Sequence, residues 1–301
     1  MNHGKVLLVG DNPFQGVSHF SQERAVLREN AITDPNYAAR LVLVSLENGA
    51  DGFMFTLNKT TLSILKAVDT NRKTEQLQIY AMLPDVNEFV RTVAFSGGVL
   101  GLGKNLAKDI VLSRNWRAVL SSVRGVVTAS PSYLLRSYLH YELGRLYSVL
   151  TKKQTTVVSL MFHETVCDMA LALDMKWFVQ ELVNFCKSSK LKPGLETRNL
   201  PYLVRKLKEW QIDTDGIVIA SPFNRLGFQM CPSREESEKA LSQIPEAEVI
   251  AFSVLAAGYL KIQEALDYVT NIPQLRGVAI GISKEKHARE LKTVKEALEA
   301  K

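Results

Sequence analysis

Short apolar segments recur along the chain and alternate with longer segments whose apolar residues are spaced three or four positions apart. Continuous apolar runs are typical of strands buried on both faces of a parallel sheet, and the wider spacing is typical of amphipathic helices. The predicted strands are Val6–Val9, Gly52–Phe55, Leu77–Leu83, Val157–Phe162, Pro193–Leu195, Gly216–Ala220, Val249–Phe252 and Val278–Ile282. Strands that alternate with helices in this way predict an α/β fold, a (β/α)8 TIM barrel. A doubly wound sheet is not favoured, because no glycine-rich turn follows the first strand.

The interval between the third and the fourth predicted strands is unusually long. Over seventy residues separate Leu83 from Val157, whereas one barrel helix would need far fewer. We therefore predict a single barrel domain over residues 1–301 with a helical insertion at residues 98–155. A long helix from Tyr133 to Leu150 is expected within this insertion.

The basic character of the chain is concentrated in the predicted insertion. The whole chain has 37 Lys and Arg against 31 Asp and Glu, a net charge of +6, and residues 98–155 hold nine basic and two acidic residues, a net charge of +7. Six apolar or aromatic residues of the long helix fall close to one stripe, which predicts a buried face. These residues are Leu134, Leu135, Tyr138, Tyr141, Leu146 and Leu150. We expect the insertion to cover the barrel mouth or to contact a second copy in a homo-oligomer, rather than to bind nucleic acid.

Composition excludes several classes of protein. With 46% hydrophobic and 23% charged residues, the chain is neither disordered nor a small disulfide scaffold. Cys167, Cys186 and Cys231 form no C-x-x-C pair, and the first apolar run is too short for a signal peptide. No apolar stretch is long enough to span a membrane. We expect a cytoplasmic protein with no membrane partner.

One glycine-rich segment partly matches a phosphate-binding loop. Gly98-x-x-x-x-Gly103-Lys104 has the first seven positions of the P-loop pattern, but Asn105 replaces the hydroxyl residue that holds Mg²⁺. The segment is therefore interpreted as a glycine-rich turn and not as the site of an NTPase.

Polar residues follow the predicted strands directly, at the barrel end that carries the active site in TIM-barrel enzymes. The candidate catalytic residues are Asp11, His163, Glu164, Glu196 and Arg198. A histidine at this place can titrate near neutral pH and serve as a general acid or base, although a histidine that holds a backbone carbonyl in place is an equal alternative. Glu164 or Glu196 would set its protonation, and Arg198 would bind an anionic group of a small substrate.

A metal site is an alternative use of the same strand ends. Asp11, His19, His163, Glu164 and Glu196 offer nitrogen and oxygen ligands. No H-x-H or H-E-x-x-H spacing supports a cluster, so no metal ligand is assigned.

The eighth predicted strand leads into an anion-binding pattern. Ser283 is a predicted N-cap, and Gly281 before it lets an anion approach the free N–H groups of the following helix. Lys284 and Lys286 would add positive charge. The alternative is a simple helix cap with no ligand.

The C-terminal part of the sequence resembles the aldo-keto reductases. Ile250-Ala251-Phe252-Ser253-Val254-Leu255-Ala256-Ala257-Gly258-Tyr259-Leu260 is similar to the seventh-strand segment of that family, and Gly277–Glu290 is similar to its eighth strand and following helix. Phe223-Asn224-Arg225 resembles the loop after the sixth strand, and His163 falls at the catalytic histidine of the fourth strand. The resemblance implies a barrel of the aldo-keto reductase type with an NADP site over the last 90 or so residues. The implied cofactor contacts are Phe223, Asn224, Ser253, Leu255, Gly281, Ser283, Lys284 and His287.

The chain departs from the family at the other catalytic positions. The segment Phe53–Lys59 contains neither the family's aspartate nor its proton-donating tyrosine, and Met82 or a near neighbour replaces its lysine. Glu196-Thr197 stands where the family has a Ser-Asn pair that holds the nicotinamide amide. The resemblance therefore implies the fold and a cofactor site, and it does not imply the family's way of polarising a carbonyl.

These observations lead to one main hypothesis and two alternatives. The main hypothesis is a barrel enzyme that acts on a small anionic molecule, as an NADP-linked oxidoreductase with an altered proton donor. The first alternative is a non-redox lyase, isomerase or hydrolase, with or without a metal ion. Its residues would be Asp11, His19, His163 and Glu196. The second is a non-catalytic binding protein on a degenerate reductase scaffold.

Overall fold

Parallel strands close into a barrel in the computed structural model, which describes residues 5–15, 34–73, 76–85, 115–128, 130–152 and 154–300, the side chains of 125–128 excepted. The strands are β1 (Val6–Gly10), β2 (Gly52–Thr56), β3 (Leu77–Leu83), β4 (Thr155–Phe162), β5 (Lys192–Glu196), β6 (Val218–Pro222), β7 (Glu248–Phe252) and β8 (Leu275–Gly281). Each strand pairs in parallel with the next, and β8 pairs with β1. The predicted (β/α)8 barrel is confirmed.

Helices surround this barrel in the part of the chain that the structure describes. They are α1 (Pro35–Glu47), α2 (Lys59–Asn71), α3 (Trp116–Thr128), α4 (Pro131–Ser148), α5 (Glu164–Ala172), α6 (Lys176–Ser188), α7 (Leu200–Glu209), α8 (Arg234–Leu241), α9 (Ile262–Thr270) and α10 (Glu285–Glu299). None of the described helices is long and apolar enough to cross a membrane.

Two apolar layers fill the fold, because successive strand residues point alternately to the barrel axis and to the helices. The inner layer contains Leu8, Met54, Tyr80, Met82, Met161, Val218, Ala220, Ile250 and Ala279. The outer layer joins the sheet to the helices and is much larger. Gly194 of β5 faces the axis, since a Cβ there would lie 2.1 Å from Cγ of Met161. By the same alternation Glu196, two residues further along β5, also faces the axis.

The described part of the predicted insertion is a helical hairpin. α4 runs beside α6 in the same direction, because Arg136 binds Glu181 at 2.6 Å and the His140 and Phe185 rings lie 4.8 Å apart. α4 therefore takes the place of the barrel helix between β3 and β4. α3 packs on α4 in the opposite direction, through bonds such as Asn115 Nδ2 to the His140 carbonyl. The segment Gly98–Lys104 lies outside the described residues.

The predicted apolar stripe of the long helix is confirmed in part. Leu146 is buried and Leu135, Tyr138 and Leu150 pack against the core, whereas Leu134 is 48% exposed. The buried positions of α4 also include Ser137, Leu139, Glu142 and Leu143. The stripe is shifted because α4 is covered by α3 as well as by α6, so small and polar residues are buried too. Ser137, for example, bonds to Ser122 and to the Ala118 carbonyl of α3.

α3 exposes its large apolar side chains and buries its small ones. Trp116, Leu120 and Val123 are 66%, 44% and 54% exposed, whereas Ala118 and Ser121 pack inward. This arrangement is the reverse of an ordinary surface helix, whose apolar stripe faces the core.

Candidate functional site

The fifth strand ends in a buried acid. Glu196 faces the barrel axis and its side chain is only 9% exposed. Its Oε2 accepts the Glu164 backbone N–H at 3.0 Å, and no described residue hydrogen-bonds to its Oε1. Burial raises the pKa of Glu196 to about 8, and the nearby carboxyls of Glu164 and Asp11 add to this effect. At neutral pH the group is therefore a carboxylic acid and not a carboxylate.

His163 lies directly beside this acid and also caps a helix. Its Nδ1 accepts the Thr165 backbone N–H at 3.3 Å as the N-cap of α5, so the neutral ring carries its proton on Nε2. Nε2 lies 4.0 Å from Oε2 of Glu196. Burial lowers the pKa of His163, while the charges of Glu164 and Asp85 oppose the change. His163 therefore holds a backbone N–H rather than a carbonyl, and its use as a general acid or base stays a prediction.

The guanidinium of Arg198 is bound within the protein. Its Nε bonds to Oε2 of Glu164 and its Nη2 to Oε1, each at 2.6 Å, which forms a bidentate pair. Glu164 therefore pairs with Arg198, and its charge also opposes the lowering of the His163 pKa. The pair uses Nε and Nη2, and the binding of an anionic substrate by Arg198 stays a prediction.

A hydrogen-bonded chain joins the ends of the first three strands. Oδ2 of Asp11 accepts the Gln15 amide and the Thr56 backbone N–H, each at 2.8 Å. Nδ2 of Asn58 donates to Oε1 of Gln15 at 3.0 Å and to Oδ2 of Asp85 at 2.7 Å. Burial raises the pKa of Asp11 to about 6, its hydrogen bonds oppose this, and the charge of Asp85 adds to it.

Several members of this site were not among the candidates from the sequence. Gln15, Asn58 and Asp85 belong to the chain that holds Asp11, and Asp168 accepts the Thr197 hydroxyl at 2.5 Å. Asn58 and Asp85 follow predicted strands, which is the pattern that identified the other candidates. Asp168 lies four residues after Glu164, on the same face of α5.

The candidate metal ligands do not form a metal site within the described residues. No group of three or more His, Cys, Asp or Glu side chains there has a geometry that holds a metal ion. Asp11, His163 and Glu196 instead hydrogen-bond to protein groups. His19 lies outside the described residues.

The loop after β8 lies at the same end of the barrel and leads into α10. Gly281 is exposed, and a Cβ there would lie 3.0 Å from the Pro13 ring. α10 begins at Glu285, so the N-cap is Lys284 and not Ser283 as predicted, and no side chain caps its first N–H groups. Ser283 Oγ instead lies 3.5 Å from Nδ1 of the exposed His287. The start of α10 therefore leaves its first N–H groups without a side-chain cap, and the cofactor contacts implied at Ser283, Lys284 and His287 stay a prediction.

The implied cofactor contacts in the loops after β6 and β7 are engaged with other protein groups. Phe223 and Asn224 are fully buried, and Asn224 holds its own loop through two 2.8 Å bonds to the Phe228 backbone. Ser253 donates to the Gln229 amide at 3.0 Å, and Leu255 packs on the core. The side chains of Phe223 and Asn224 are therefore packed inside the protein, and the cofactor contacts implied there stay a prediction.

Comparison with known proteins identifies the fold. The sequence matches no protein-family model and no curated protein. A protein described as an aldo-keto reductase from Pseudomonas aeruginosa superposes with a TM-score of 0.59 at 13% identity, over 98% of this chain and 91% of that chain. A glycerol dehydrogenase from Gluconobacter oxydans superposes with a TM-score of 0.55 at 12% identity, over 98% and 88%. The chain therefore has the (β/α)8 barrel fold of the aldo-keto reductases.

Proposed function

We propose that this protein is an oxidoreductase-like barrel enzyme in which Glu196 and His163 exchange a proton with a small molecule bound at the mouth. The observation that supports this most is Glu196, an acid that burial keeps protonated on a side chain that faces the barrel axis. A carboxylic acid with a pKa near the working pH is an effective proton donor. Glu196 would act in place of the proton-donating tyrosine that aldo-keto reductases have after the second strand and that the segment Phe53–Lys59 does not contain.

The cofactor in this proposal is NADP. Gly281, Ser283 and Lys284 would hold a phosphate group at the start of α10, where the helix dipole and the uncapped N–H groups favour an anion. Bound NADP would supply or accept a hydride. The protein's own part is to hold the substrate and to move the proton at Glu196. A metal-assisted reaction is not favoured, because the described residues hold no group of metal ligands.

The proposed location is the cytoplasm. Cys167, Cys186 and Cys231 are all free thiols, which is the state that a reducing compartment maintains.

The partner proposed for α3 is a second copy of the chain. Trp116, Leu120 and Val123 form an exposed apolar strip on a helix that already packs on α4 by its other side. Burial of such a strip between two copies would remove apolar surface from water. The positive charge of the insertion is the only feature that favours nucleic acid instead.

Removing the proton donor should abolish turnover. For Glu196→Gln and for His163→Asn we expect a 10²- to 10⁴-fold lower kcat with any substrate that NADPH oxidation identifies. Asparagine keeps a helix-capping acceptor, so His163→Asn should stay within about 1 kcal/mol of the parent in urea denaturation, whereas His163→Ala should lose about 1–2 kcal/mol with the cap. Unchanged kcat in both Glu196→Gln and His163→Asn would refute the assignment.

The proton on Glu196 should also appear in the pH dependence of stability. The folded-state pKa is about 8 and the model-peptide value is 4.5, so between these values the folded state binds a proton that the unfolded state releases. This contribution therefore makes the free energy of unfolding fall as pH rises through that window. Glu196→Gln should flatten the fall measured by urea denaturation between about pH 5 and pH 8. The exposed control Glu246→Gln should keep the parent slope, and a parental slope in Glu196→Gln would show that Glu196 is ionised.

NADPH binding should depend on the start of α10. Ser283→Asp places a negative charge beside the proposed phosphate site, so we expect at least about tenfold weaker NADPH binding by fluorescence titration. The control Ser233→Asp makes the same change at the N-cap of α8 and should leave the affinity unchanged. Equal affinity in the Ser283→Asp protein would exclude this phosphate site, and no NADPH binding by the parent would exclude the redox proposal.

Replacing the exposed strip should change the oligomeric state. The parent should show a mass above that of one 33.6 kDa chain in light scattering, and Trp116→Gln with Leu120→Gln should return it to one chain. Leu226→Gln, an equally exposed residue on the loop after β6, is the control and should not change the mass. A single-chain mass for the parent, with salt-dependent binding of duplex DNA, would favour nucleic acid instead.

A further inference from the structure

Three consecutive residues at the end of β5 bind the first turns of α5. Glu196 accepts the Glu164 backbone N–H at 3.0 Å, and the Arg198 guanidinium pairs with the Glu164 carboxylate. Between them in the chain, the Thr197 hydroxyl donates to Oδ1 of Asp168 at 2.5 Å. Glu164 and Asp168 are four residues apart and so lie on the same face of α5. This face of the helix is therefore fastened to the strand that carries the proposed proton donor.

Of the two links made by side chains of both elements, the Thr197 link is better shielded from water. Thr197 is fully buried, whereas the side chain of Arg198 is 40% exposed. An exposed ion pair contributes little to holding two elements together, because water competes for both charges. The Thr197 hydroxyl also accepts the Asn199 backbone N–H at 2.9 Å, so its own proton is directed to Asp168. The bond to Asp168 is therefore the firmer of the two links.

The start of α5 lies against the carboxyl group of Glu196. The Glu164 N–H is 3.0 Å from Oε2 of Glu196, and Nε2 of the N-cap His163 is 4.0 Å from the same oxygen. The titratable side chains that act on Glu196 or lie beside it in the described structure are Asp11, His163, Glu164, Cys167 and Arg198. Burial is nevertheless the largest cause of the raised pKa of Glu196. A displacement of this turn would admit water to the carboxyl and weaken that cause.

The other end of α5 is held independently of β5. The Tyr202 hydroxyl of α7 donates to the Leu171 carbonyl at 3.1 Å, and Ala170 and Leu171 are buried in the core. Loss of the Thr197 bond should therefore loosen the turn beside Glu196 without detaching the helix.

We propose that Asp168 and Thr197 are positioning residues, which hold the first turn of α5 against the Glu196 carboxyl and keep water from it. They act through the positions of Glu164 and His163 and not by contact with a substrate. The inference rests on the proposed function, because it concerns the same proton donor. A bond that served only the fold would affect the stability of the protein and leave the pKa of Glu196 unchanged.

Removal of the Thr197 hydroxyl tests the proposal without turnover. The pKa of Glu196 can be read from a carbon-13 NMR titration of the glutamate carboxyls, in which the resonance absent from Glu196→Gln is that of Glu196. In Thr197→Val, which keeps the shape of the side chain, we expect this pKa to fall by at least about one pH unit. Thr197→Ser keeps the hydroxyl and should have the parent value. An unchanged or higher pKa in Thr197→Val would overturn the proposal, and so would a parent pKa near the ordinary value of 4.5.

A matched variant at the opposite end of the barrel separates positioning from stability. Thr155, at the start of β4, makes the same kind of bond, to Oδ1 of Asp69 at 2.7 Å. Thr155→Val should lower the midpoint of urea denaturation, as Thr197→Val should, and should leave the pKa of Glu196 unchanged. An equal fall of that pKa in both variants would show that Thr197 acts only through overall stability, and the positioning role would be wrong.

Variants of Asp168 test the same bond from the helix side. Asp168→Ala removes the acceptor and should lower the pKa of Glu196 as Thr197→Val does. Asp168→Asn keeps an oxygen that accepts the Thr197 hydroxyl and should stay near the parent value. Equal falls in the two Asp168 variants would show that this hydrogen bond does not position Glu196. Because the titration needs no reaction, it separates a wrong positioning role from a wrong proton donor, which the Glu196→Gln and His163→Asn kinetics test.

Discussion

Closure of a parallel barrel is the constraint on which the site depends. Every strand runs in the same direction, so the residues that follow the strands all meet at one mouth. The inward and outward alternation then decides which side chains reach the axis. In the second half of β5 the inward positions are Gly194, which has no room for a Cβ beside Met161, and Glu196. The acid is thus carried on a rigid strand above a packed apolar interior, and that burial is the main cause of its raised pKa.

The pattern of apolar residues was sufficient to predict the strands, because strands buried on both faces leave continuous apolar runs. It was less informative about where strands begin. The sixth strand was predicted from Gly216, yet β6 begins at Val218, because Gly216 has a φ of 68° and forms the preceding turn. The pattern of apolar residues does not show where the backbone takes a left-handed conformation. A glycine permits that conformation but does not require it.

Parts of the site were predictable for the same topological reason. His163 follows the apolar run of β4, and Glu196 ends β5. Closure of the barrel therefore brings them together independently of how the helices pack. The roles of Gln15 and Asn58 could not be predicted, since their bond joins residues 43 positions apart on two different loops. Arg198 and Glu164 were both identified, but their mutual pairing was not. Which charges neutralise one another depends on side-chain geometry that strand order alone does not fix.

The departures from the aldo-keto reductase pattern and the state of Glu196 have a common physical cause. Met54 and Met82 lie in the apolar interior layer, at or beside the second- and third-strand positions where the resemblance leads one to expect charged residues. A lysine at position 82 would have placed a cation near the mouth and favoured the ionised form of the surrounding acids. With methionine there, the third strand supplies no cation, and Arg198 after β5 is paired with Glu164. Burial is then the main cause of the raised pKa of Glu196, and the carboxyls of Glu164 and Asp11 add to it.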